Sequence, residues 1–250
     1  FFGGIAEAWN EGGWPMYPIA IVFVIGLAIS VERLIVLPLF PHYSSTTTGS
    51  CYKELYRQMK AIQFSPLLTT VRNWPADRGY IELLIETLEE QLGKLDPLRA
   101  AHVLISAHSL PLKIVERGDV YPQDVDKTTQ ALCPRLQELT KRFPFSWSLA
   151  FQSRNGPVPW LKPYTEDEIV RLGRAGTSQI IVLPISFVSD HIETLSELDI
   201  DYKELAHKYK VTTFLRTRSF NDDPKFIQIL FELVRGHVTQ QPQKESRPSL

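Results

Sequence analysis

Cysteine is scarce in this chain of 250 residues. Its two cysteines, Cys51 and Cys133, lie far apart in sequence and form no CxxC pair. A zinc ribbon or a disulfide framework needs several cysteines at characteristic spacings, so the sequence predicts neither. This usage fits a reducing compartment, and we expect a cytoplasmic location.

An excess of charge of one sign is also missing. The 27 basic and 28 acidic residues leave a formal net charge of -1. A surface that binds a phosphate backbone is strongly basic, so we expect no nucleic-acid partner. With 44% hydrophobic residues, the composition is that of an ordinary globular protein.

No apolar run clearly reaches the roughly 20 residues that a helix needs to cross a bilayer. Residues 18–31 form an uncharged run of 14, which becomes marginal when it is extended back to Trp14. The segment is therefore either a membrane helix, which would give the protein a membrane association, or a buried core helix.

Residues 12–34 resemble the first transmembrane helix of the proton-channel subunits that power biopolymer transport and flagellar stators. The resemblance covers that helix alone, so no channel function follows from it. The abrupt change of pattern at residues 32–36 suggests a fusion.

From residue 34 onward, short apolar runs alternate with helical patterns. Strands are predicted at 34–40, 102–109, 146–153, 180–186 and 210–217. Helices are predicted at 51–62, 122–142, 165–176 and 223–237, with a further helix opening at Ser189-Asp190 and with Thr165 as an N-cap. This alternation predicts an α/β fold with parallel sheets covered on both faces.

One apolar motif occurs twice. The run IVLPL at 35–39 recurs as IVLPI at 181–185, and each copy precedes a polar loop and a helix. The repetition favours two doubly wound, Rossmann-like halves related by duplication, although such strands also recur by chance. We divide the chain into an apolar helix (1–34), a remnant of the N-terminal half (35–105), the C-terminal half (106–238) and a disordered tail (239–250).

Unusual residues concentrate in four segments that follow predicted strands, at 41–50, 106–125, 151–163 and 186–202. Ligands of doubly wound folds bind at that edge of the sheet. The last three segments contain, in order, the motifs SAHSLP and RGDVYP, then GPVPWL, then SDHIETLSELDI. With these motifs, residues 33–237 resemble the ferrochelatase family.

The resemblance implies a chelatase-like fold and the insertion of ferrous iron into protoporphyrin IX or coproporphyrin III, a lyase reaction of haem biosynthesis. Porphyrin and ferrous iron would be the substrates, and no cofactor is expected. Some family members carry an iron–sulfur cluster on a cysteine-rich C-terminus, but the tail here has no cysteine, so we expect no cluster. The family's N-terminal NLGxP-type motif is not matched, which predicts an incomplete N-terminal half and a cleft with one wall.

His108 and Glu193 are the predicted catalytic pair. Metal insertion removes two pyrrole protons, which requires proton acceptors with a pKa near neutrality, and both side chains also bind ferrous iron. His108 follows a buried strand and Glu193 lies near the start of a helix. Taken alone, His108 is better explained as a core histidine bonded to a backbone carbonyl, and the full set of motifs reverses this preference.

A row of acidic residues begins at Glu193. Glu197 and Asp201 follow at intervals of four, which places the three carboxylates on one helix face. The resemblance implies that they bind the metal with His108 and His191 and form a path for metal or protons, with Glu193 nearest the porphyrin. The alternative is a solvated acidic stripe.

A tetrapyrrole needs a pocket with a large, flat apolar wall. By resemblance, eight residues are expected to contact it: Tyr43, Ser44, Ser109, Tyr121, Phe151, Ser153, Trp160 and Leu161. Each aromatic residue among them is, taken alone, better explained by core packing. Arg154 and Lys162 could meet the propionates or lie on the surface.

Two other functions stay open from the sequence. One is a membrane-tethered module that binds a tetrapyrrole without turnover, and the other is a related chelatase that inserts cobalt. The SDHIET segment favours iron. The sequence does not predict an oligomeric state.

Overall fold

The structure, a computed structural model, describes residues 33–239. The strands are β1 (Arg33–Val36), β2 (Leu67–Thr70), β3 (Ala101–His108), β4 (Ser146–Gln152), β5 (Gln179–Pro184) and β6 (Thr213–Arg216). The helices are α1 (Thr48–Ala61), α2 (Arg78–Leu92), α3 (Leu112–Glu116), α4 (Tyr121–Leu139), α5 (Thr165–Arg174), a π-helix (Glu193–Asp201), α6 (Tyr202–Lys208) and α7 (Pro224–Thr239).

The predicted apolar helix at 1–34 lies outside the described residues, apart from its last two positions, which begin β1. The predicted disordered tail lies outside them from residue 240 onward. Between residues 33 and 239, no helix combines the length and the apolar character that crossing a membrane requires.

Four strands form one parallel sheet in the order β4-β3-β5-β6. The chain adds β4 on one side of β3 and then β5 on the other, and both pair with β3 in parallel. The strand order therefore reverses between β3 and β5. A crevice opens at such a reversal, outside the carboxyl ends of the strands, and doubly wound folds bind ligands there. A second parallel pair joins β1 to β2.

Apolar side chains alternate between the two faces of the four-stranded sheet. Val103 and Ile105 of β3 belong to one core cluster, which includes buried residues of α2, α4 and α7. Leu104 belongs to a second cluster, which includes residues of α5, the π-helix and α6. Helices thus cover both faces of the sheet, which confirms the predicted α/β fold with parallel sheets.

Each of the five predicted strands is found, with ends that differ by a few residues. The sequence analysis missed β2, α2 and α3. The strand β2 has four residues and pairs with β1 across a long connection, so its pairing is decided by tertiary contacts. The start of α2 is visible in the sequence, because the Asp77 side chain caps it by accepting from the Tyr80 N–H at 2.9 Å.

Two predicted helix starts are wrong. Thr165 is the first residue of α5 rather than its N-cap, because its buried hydroxyl contacts Ser106 Oγ at 3.3 Å in the core. The helix predicted to open at Ser189-Asp190 begins later, as a π-helix from Glu193. Asp190 instead uses its carboxylate to bind side chains beyond β6.

The predicted domain boundary between residues 105 and 106 falls inside β3. The helix α2 precedes this boundary, yet it packs into the same core cluster as β3 and α4. Tyr80 of α2 donates its hydroxyl to the carbonyl of Ile185, just beyond β5. The helix α2 and the four-stranded sheet therefore form one packed unit.

Candidate active site

His108 ends β3 at the point where the strand order reverses. Its backbone N–H donates to Ser186 Oγ at 3.1 Å, just past β5. Its carbonyl accepts from the Tyr121 hydroxyl at 2.8 Å, and that hydroxyl also contacts Ser186 Oγ at 2.8 Å. Tyr121 is buried, so these bonds fix the backbone from which the His108 imidazole projects.

The imidazole of His108 has a defined orientation. Its Nδ1 lies 2.5 Å from the carbonyl oxygen of Ser109. A carbonyl only accepts hydrogen bonds, so Nδ1 carries a proton and Nε2 is the nitrogen that faces the site. Nε2 lies 3.5 Å from Oε1 of Glu193, and the two side chains are 29% and 35% exposed. The pair is thus half-buried but open to solvent on one side.

Each member of this pair sets the protonation of the other. Burial lowers the pKa of His108, but the hydrogen bond and the charge of Glu193, with smaller effects of Ser109 and Glu197, outweigh it and raise the pKa above its ordinary value. The hydrogen bond from His108 lowers the pKa of Glu193 below its ordinary value, against the opposing effect of burial. An imidazolium beside a carboxylate is therefore the favoured state until the pH passes the raised pKa of His108.

His191 lies on the other side of the Glu193 carboxylate. Its Nδ1 accepts the Glu193 backbone N–H at 3.0 Å, so a neutral His191 carries its proton on Nε2. That Nε2 is buried without a hydrogen-bond partner, 4.0 Å from Glu193 Oε2. The Phe187 ring packs edge-on against both histidines, with centroid distances of 4.0 Å to His191 and 5.7 Å to His108. Three predicted site residues therefore meet at one carboxylate.

The other two carboxylates of the predicted acidic row have different surroundings. Glu197 accepts from the Ser153 N–H at 2.9 Å, from the Ser153 hydroxyl and from the Tyr202 hydroxyl at 2.6 Å. Asp201, at the end of the π-helix, is exposed. The three carboxylates lie on a π-helix, which closes its hydrogen bonds from i to i+5, rather than on the predicted α-helix.

No group of three or more His, Cys, Asp or Glu side chains within residues 33–239 is arranged to hold a metal ion. The five predicted metal-binding residues are therefore not gathered into one coordination sphere. His108, His191 and Glu193 lie together, whereas Glu197 is bound to Ser153 and Tyr202.

The eight predicted porphyrin contacts divide by exposure. Four are buried, namely Ser44, Ser109, Tyr121 and Phe151, and the hydroxyls of the first three bond to the protein. Four are partly exposed: Tyr43, Ser153, Trp160 and Leu161. The second group can offer surface to a ligand, and the first group shapes the backbone behind it.

Among the exposed members, Trp160 is held by its indole N–H, which donates to the Asn155 carbonyl at 3.0 Å. The Tyr43 ring lies under the guanidinium of Arg72, 4.3 Å from its centroid. Tyr43 and Arg72 line a cavity of about 430 Å³, together with Ser45, Thr46, Ile114, Arg117, Gly118, Asp119 and Val120. Neither His108 nor Glu193 lines this cavity.

The two basic residues considered for propionates both lie against Tyr164. Arg154 pairs with Glu166 at 2.5 Å and stacks over the Tyr164 ring at 4.2 Å. Lys162 approaches the same ring at 5.4 Å. Arg154 therefore already has an anionic partner, while Lys162 is the freer of the two cations.

Sequence reasoning did not single out Ser186, Phe187 or Asp119. Ser186 and Phe187 lie in the segment 186–202, but only the pairing of β3 with β5 shows that they face His108. Asp119 belongs to the RGDVYP motif and accepts three hydrogen bonds from the loop at 44–45. Its position in the RGDVYP motif could therefore have marked Asp119 as a candidate site residue.

The chain is similar in sequence to known proteins. The ferrochelatase family model matches residues 27–238. A ferrochelatase of Synechococcus sp. strain WH7803 is 42% identical over 211 residues, which cover 83% of this chain and 54% of the relative. Those of Synechococcus elongatus and Gloeothece citriformis are 39% and 38% identical, covering 85% and 84% of this chain and 54% of each relative. The chain thus spans about half the length of the curated relatives it matches.

Proposed function

The chain belongs to the ferrochelatase family, and on that premise we propose that it inserts ferrous iron into a porphyrin, protoporphyrin IX or coproporphyrin III, in haem biosynthesis. The observation that carries the proposal is the pairing of His108 with Glu193 beside the strand reversal. The proposed location is the cytoplasm, and a membrane association through residues 12–34 stays a prediction.

The chemistry requires a proton acceptor next to the porphyrin centre. As ferrous iron forms bonds to the four pyrrole nitrogens, two N–H protons leave the ring, and the porphyrin becomes a dianion that neutralises the metal charge. In its neutral form, His108 has a free lone pair on Nε2, because Nδ1 donates to Ser109. A proton accepted there forms an imidazolium that the Glu193 carboxylate stabilises. Release of that proton to solvent readies His108 for the second.

Glu193 has a second proposed role, as the carboxylate nearest to the incoming iron. Ferrous iron accepts oxygen and imidazole ligands, and His191 lies beside the same carboxylate. We propose that Glu197 and Asp201 form the outer part of the supply path. Glu197 would then have to exchange its bonds to Ser153 and Tyr202 for the passing ion.

The porphyrin would lie against the partly exposed residues of the predicted wall, Tyr43, Ser153, Trp160 and Leu161. The buried members, Ser44, Ser109, Tyr121 and Phe151, would act from behind by holding the loops. The exposed Lys162 is the cation that we propose for a propionate.

The test measures loss of porphyrin fluorescence under anaerobic ferrous iron for the native chain, His108→Ala and Glu193→Ala. General acid–base groups contribute about 100- to 10,000-fold, so we expect a loss of at least about 100-fold in either variant. His207→Ala and Glu204→Ala, exposed residues of α6, are the matched controls and should keep the native rate. Equal rates in all five proteins would overturn the catalytic assignment.

Substrate choice is tested in the same assay. Competition between protoporphyrin IX and coproporphyrin III identifies the porphyrin, and replacement of iron by cobalt tests the related chelatase activity. Porphyrin binding without metal insertion by the native chain would support the binding module without turnover instead.

A further inference from the structure

Arg216, the last residue of β6, holds the far end of the π-helix. Its Nε donates to Asp199 Oδ1 at 2.8 Å, and its Nη2 donates to Asp199 Oδ2 at 2.8 Å. This is the two-pronged arrangement in which a guanidinium binds a carboxylate most strongly. The Arg216 side chain is only 10% exposed, so water competes weakly for its donors.

The same guanidinium also reaches the chain just before the π-helix. Its Nη1 lies 3.3 Å from Asp190 Oδ1, and Asp190 accepts further hydrogen bonds from Ser219 Oγ at 2.8 Å and Asn221 Nδ2 at 2.9 Å. The Asp190 N–H in turn donates to Asn221 Oδ1 at 2.9 Å. Burial raises the pKa of Asp190, but these hydrogen bonds and the charge of Arg216 outweigh it and lower the pKa, which keeps the carboxylate ionised.

Asp190 and Asp199 bracket two of the three acidic residues of the candidate site. Glu193 and Glu197 lie between them along the chain. A π-helix is rarely stable by itself, so its position depends on tertiary contacts. Glu193 belongs to the π-helix. A small displacement of this helix would therefore move the Glu193 carboxylate away from Nε2 of His108.

We propose that Arg216 is a positioning residue that clamps the π-helix through Asp190 and Asp199 and so holds Glu193 against His108. This inference rests on the proposed function of the His108–Glu193 pair. Loss of the guanidinium would leave two neighbouring carboxylates without their shared cation, and their repulsion would loosen both ends of the π-helix. Arg216 itself does not touch the site.

The test compares Arg216→Ala with Arg218→Ala. Arg218 lies two residues away and pairs with Glu90 and Asp223, neither of which belongs to the π-helix. In Arg216→Ala we expect kcat to fall by about 10- to 100-fold, with KM for the porphyrin within about twofold, because a misplaced catalytic group affects the chemical step rather than binding. Arg218→Ala should keep both constants.

Two gentler variants guard against simple misfolding. Arg216→Lys keeps the positive charge but loses the two-pronged contact with the Asp199 carboxylate. Asp199→Asn keeps the size of the side chain but loses its negative charge. Both variants should therefore give values of kcat between those of the native chain and Arg216→Ala. A global loss of stability would instead lower the yield of folded protein without this graded effect. A native kcat in folded Arg216→Ala would overturn the proposal.

A readout without turnover separates this inference from the proposed function. The 15N chemical shift of His108 Nε2 at fixed pH reports the nearby carboxylate. We expect it to move in Arg216→Ala toward its value in Glu193→Gln, and amide hydrogen exchange in residues 193–201 to accelerate. If the native chain inserts no metal but these changes occur, the proposed function fails and the clamp stands. If neither the 15N chemical shift nor the hydrogen exchange changes, the proposed role of Arg216 is wrong, whether or not the chain inserts metal.

Discussion

Nε2 of His108 lies 3.5 Å from Oε1 of Glu193, across the point where the strand order of the sheet reverses. One residue ends β3, and the other begins the π-helix that follows β5. Ordinary hydrogen bonds between such atoms are about 2.7–3.2 Å long, so the hydrogen bond of this pair is a long one. Its two pKa values shift in opposite directions because each group favours the charged form of the other.

The first prediction concerns pH. Neutral His108 is the proposed proton acceptor, so we expect the rate of metal insertion to rise as the pH passes the raised pKa of His108. Glu193→Gln removes the charge that raises this pKa and leaves burial, which lowers it. NMR titration of the His108 ring should therefore show a midpoint at lower pH in Glu193→Gln than in the native chain. The exposed His207 serves as an internal control, and an unchanged or higher midpoint for His108 would contradict the prediction.

The second prediction concerns acid stability. Burial lowers the pKa of His42 to about 3, against a smaller raising effect of Asp124. Below the unfolded pKa of about 6.5, His42 is protonated in the unfolded chain but stays neutral in the folded chain. The free energy of unfolding therefore falls as the pH drops, by about 1.4 kcal/mol per pH unit. In His42→Gln, we expect the loss of unfolding free energy between pH 7 and pH 5 to be smaller by about 2 kcal/mol.

Urea denaturation at both pH values measures this difference. His207→Gln is the matched control, because it makes the same replacement at an exposed histidine of α6. His102, whose pKa burial also lowers, to about 4, contributes to the remaining slope in every variant. An identical slope in the native chain and His42→Gln would rule out this role for His42.

The third prediction concerns the support behind His108. Tyr121→Phe removes the hydroxyl that donates to the His108 carbonyl and contacts Ser186. Because a buried acceptor then loses its partner, we expect a loss of about 1–3 kcal/mol in unfolding free energy, with a lower kcat. Tyr209→Phe, at the end of α6 beside the guanidinium of Arg174, should change neither. Calorimetric melting and the insertion assay check both effects, and a native kcat in Tyr121→Phe would argue against a positioning effect of its hydroxyl.

The fourth prediction compares two glycines in helices. A Cβ at Gly173 of α5 would lie 2.5 Å from the carbonyl oxygen of Tyr209, so Gly173→Ala must push α5 away from α6. We expect a cost of about 1–3 kcal/mol. A Cβ at Gly236 of α7 would meet nothing within 4 Å, so Gly236→Ala should stabilise the helix by up to about 1 kcal/mol. Chemical denaturation of both variants decides, and equal effects would show that the close approach at Gly173 does not matter.

Much of the site could be predicted because its residues follow strands. His108 stands directly after an apolar run, and parallel strands bring their carboxyl ends to one edge, so a shared site with the 186–202 segment followed from local patterns. The partners of each residue could not be predicted in this way. Ser186, Phe187 and Arg216 reach the site or its support through strand pairing and loop packing, which no local spacing encodes.

The row of acidic residues shows most clearly what the sequence alone could not predict. Intervals of four predict one helix face, but they do not reveal a π-helix, since local propensity barely distinguishes i to i+4 from i to i+5 bonding. Tertiary contacts decide it here. Glu197 is bound to Ser153 and Tyr202, while Glu193 is left free to meet His108.

The sequence by itself determined the alternation of strands and helices, and it predicted a site at one edge of the sheet with the His108–Glu193 pair as its centre. The alternation and the edge depend on hydrophobic periodicity and on residue types placed after strands, which are local properties of the chain, whereas the choice of the pair came from the resemblance that the sequence motifs carry. Only the tertiary structure decided the orientation of the His108 ring, the opposite pKa shifts of the pair and the clamp at Arg216. They depend on distances between residues far apart in sequence, because electrostatic and hydrogen-bond energies change steeply within a few ångströms.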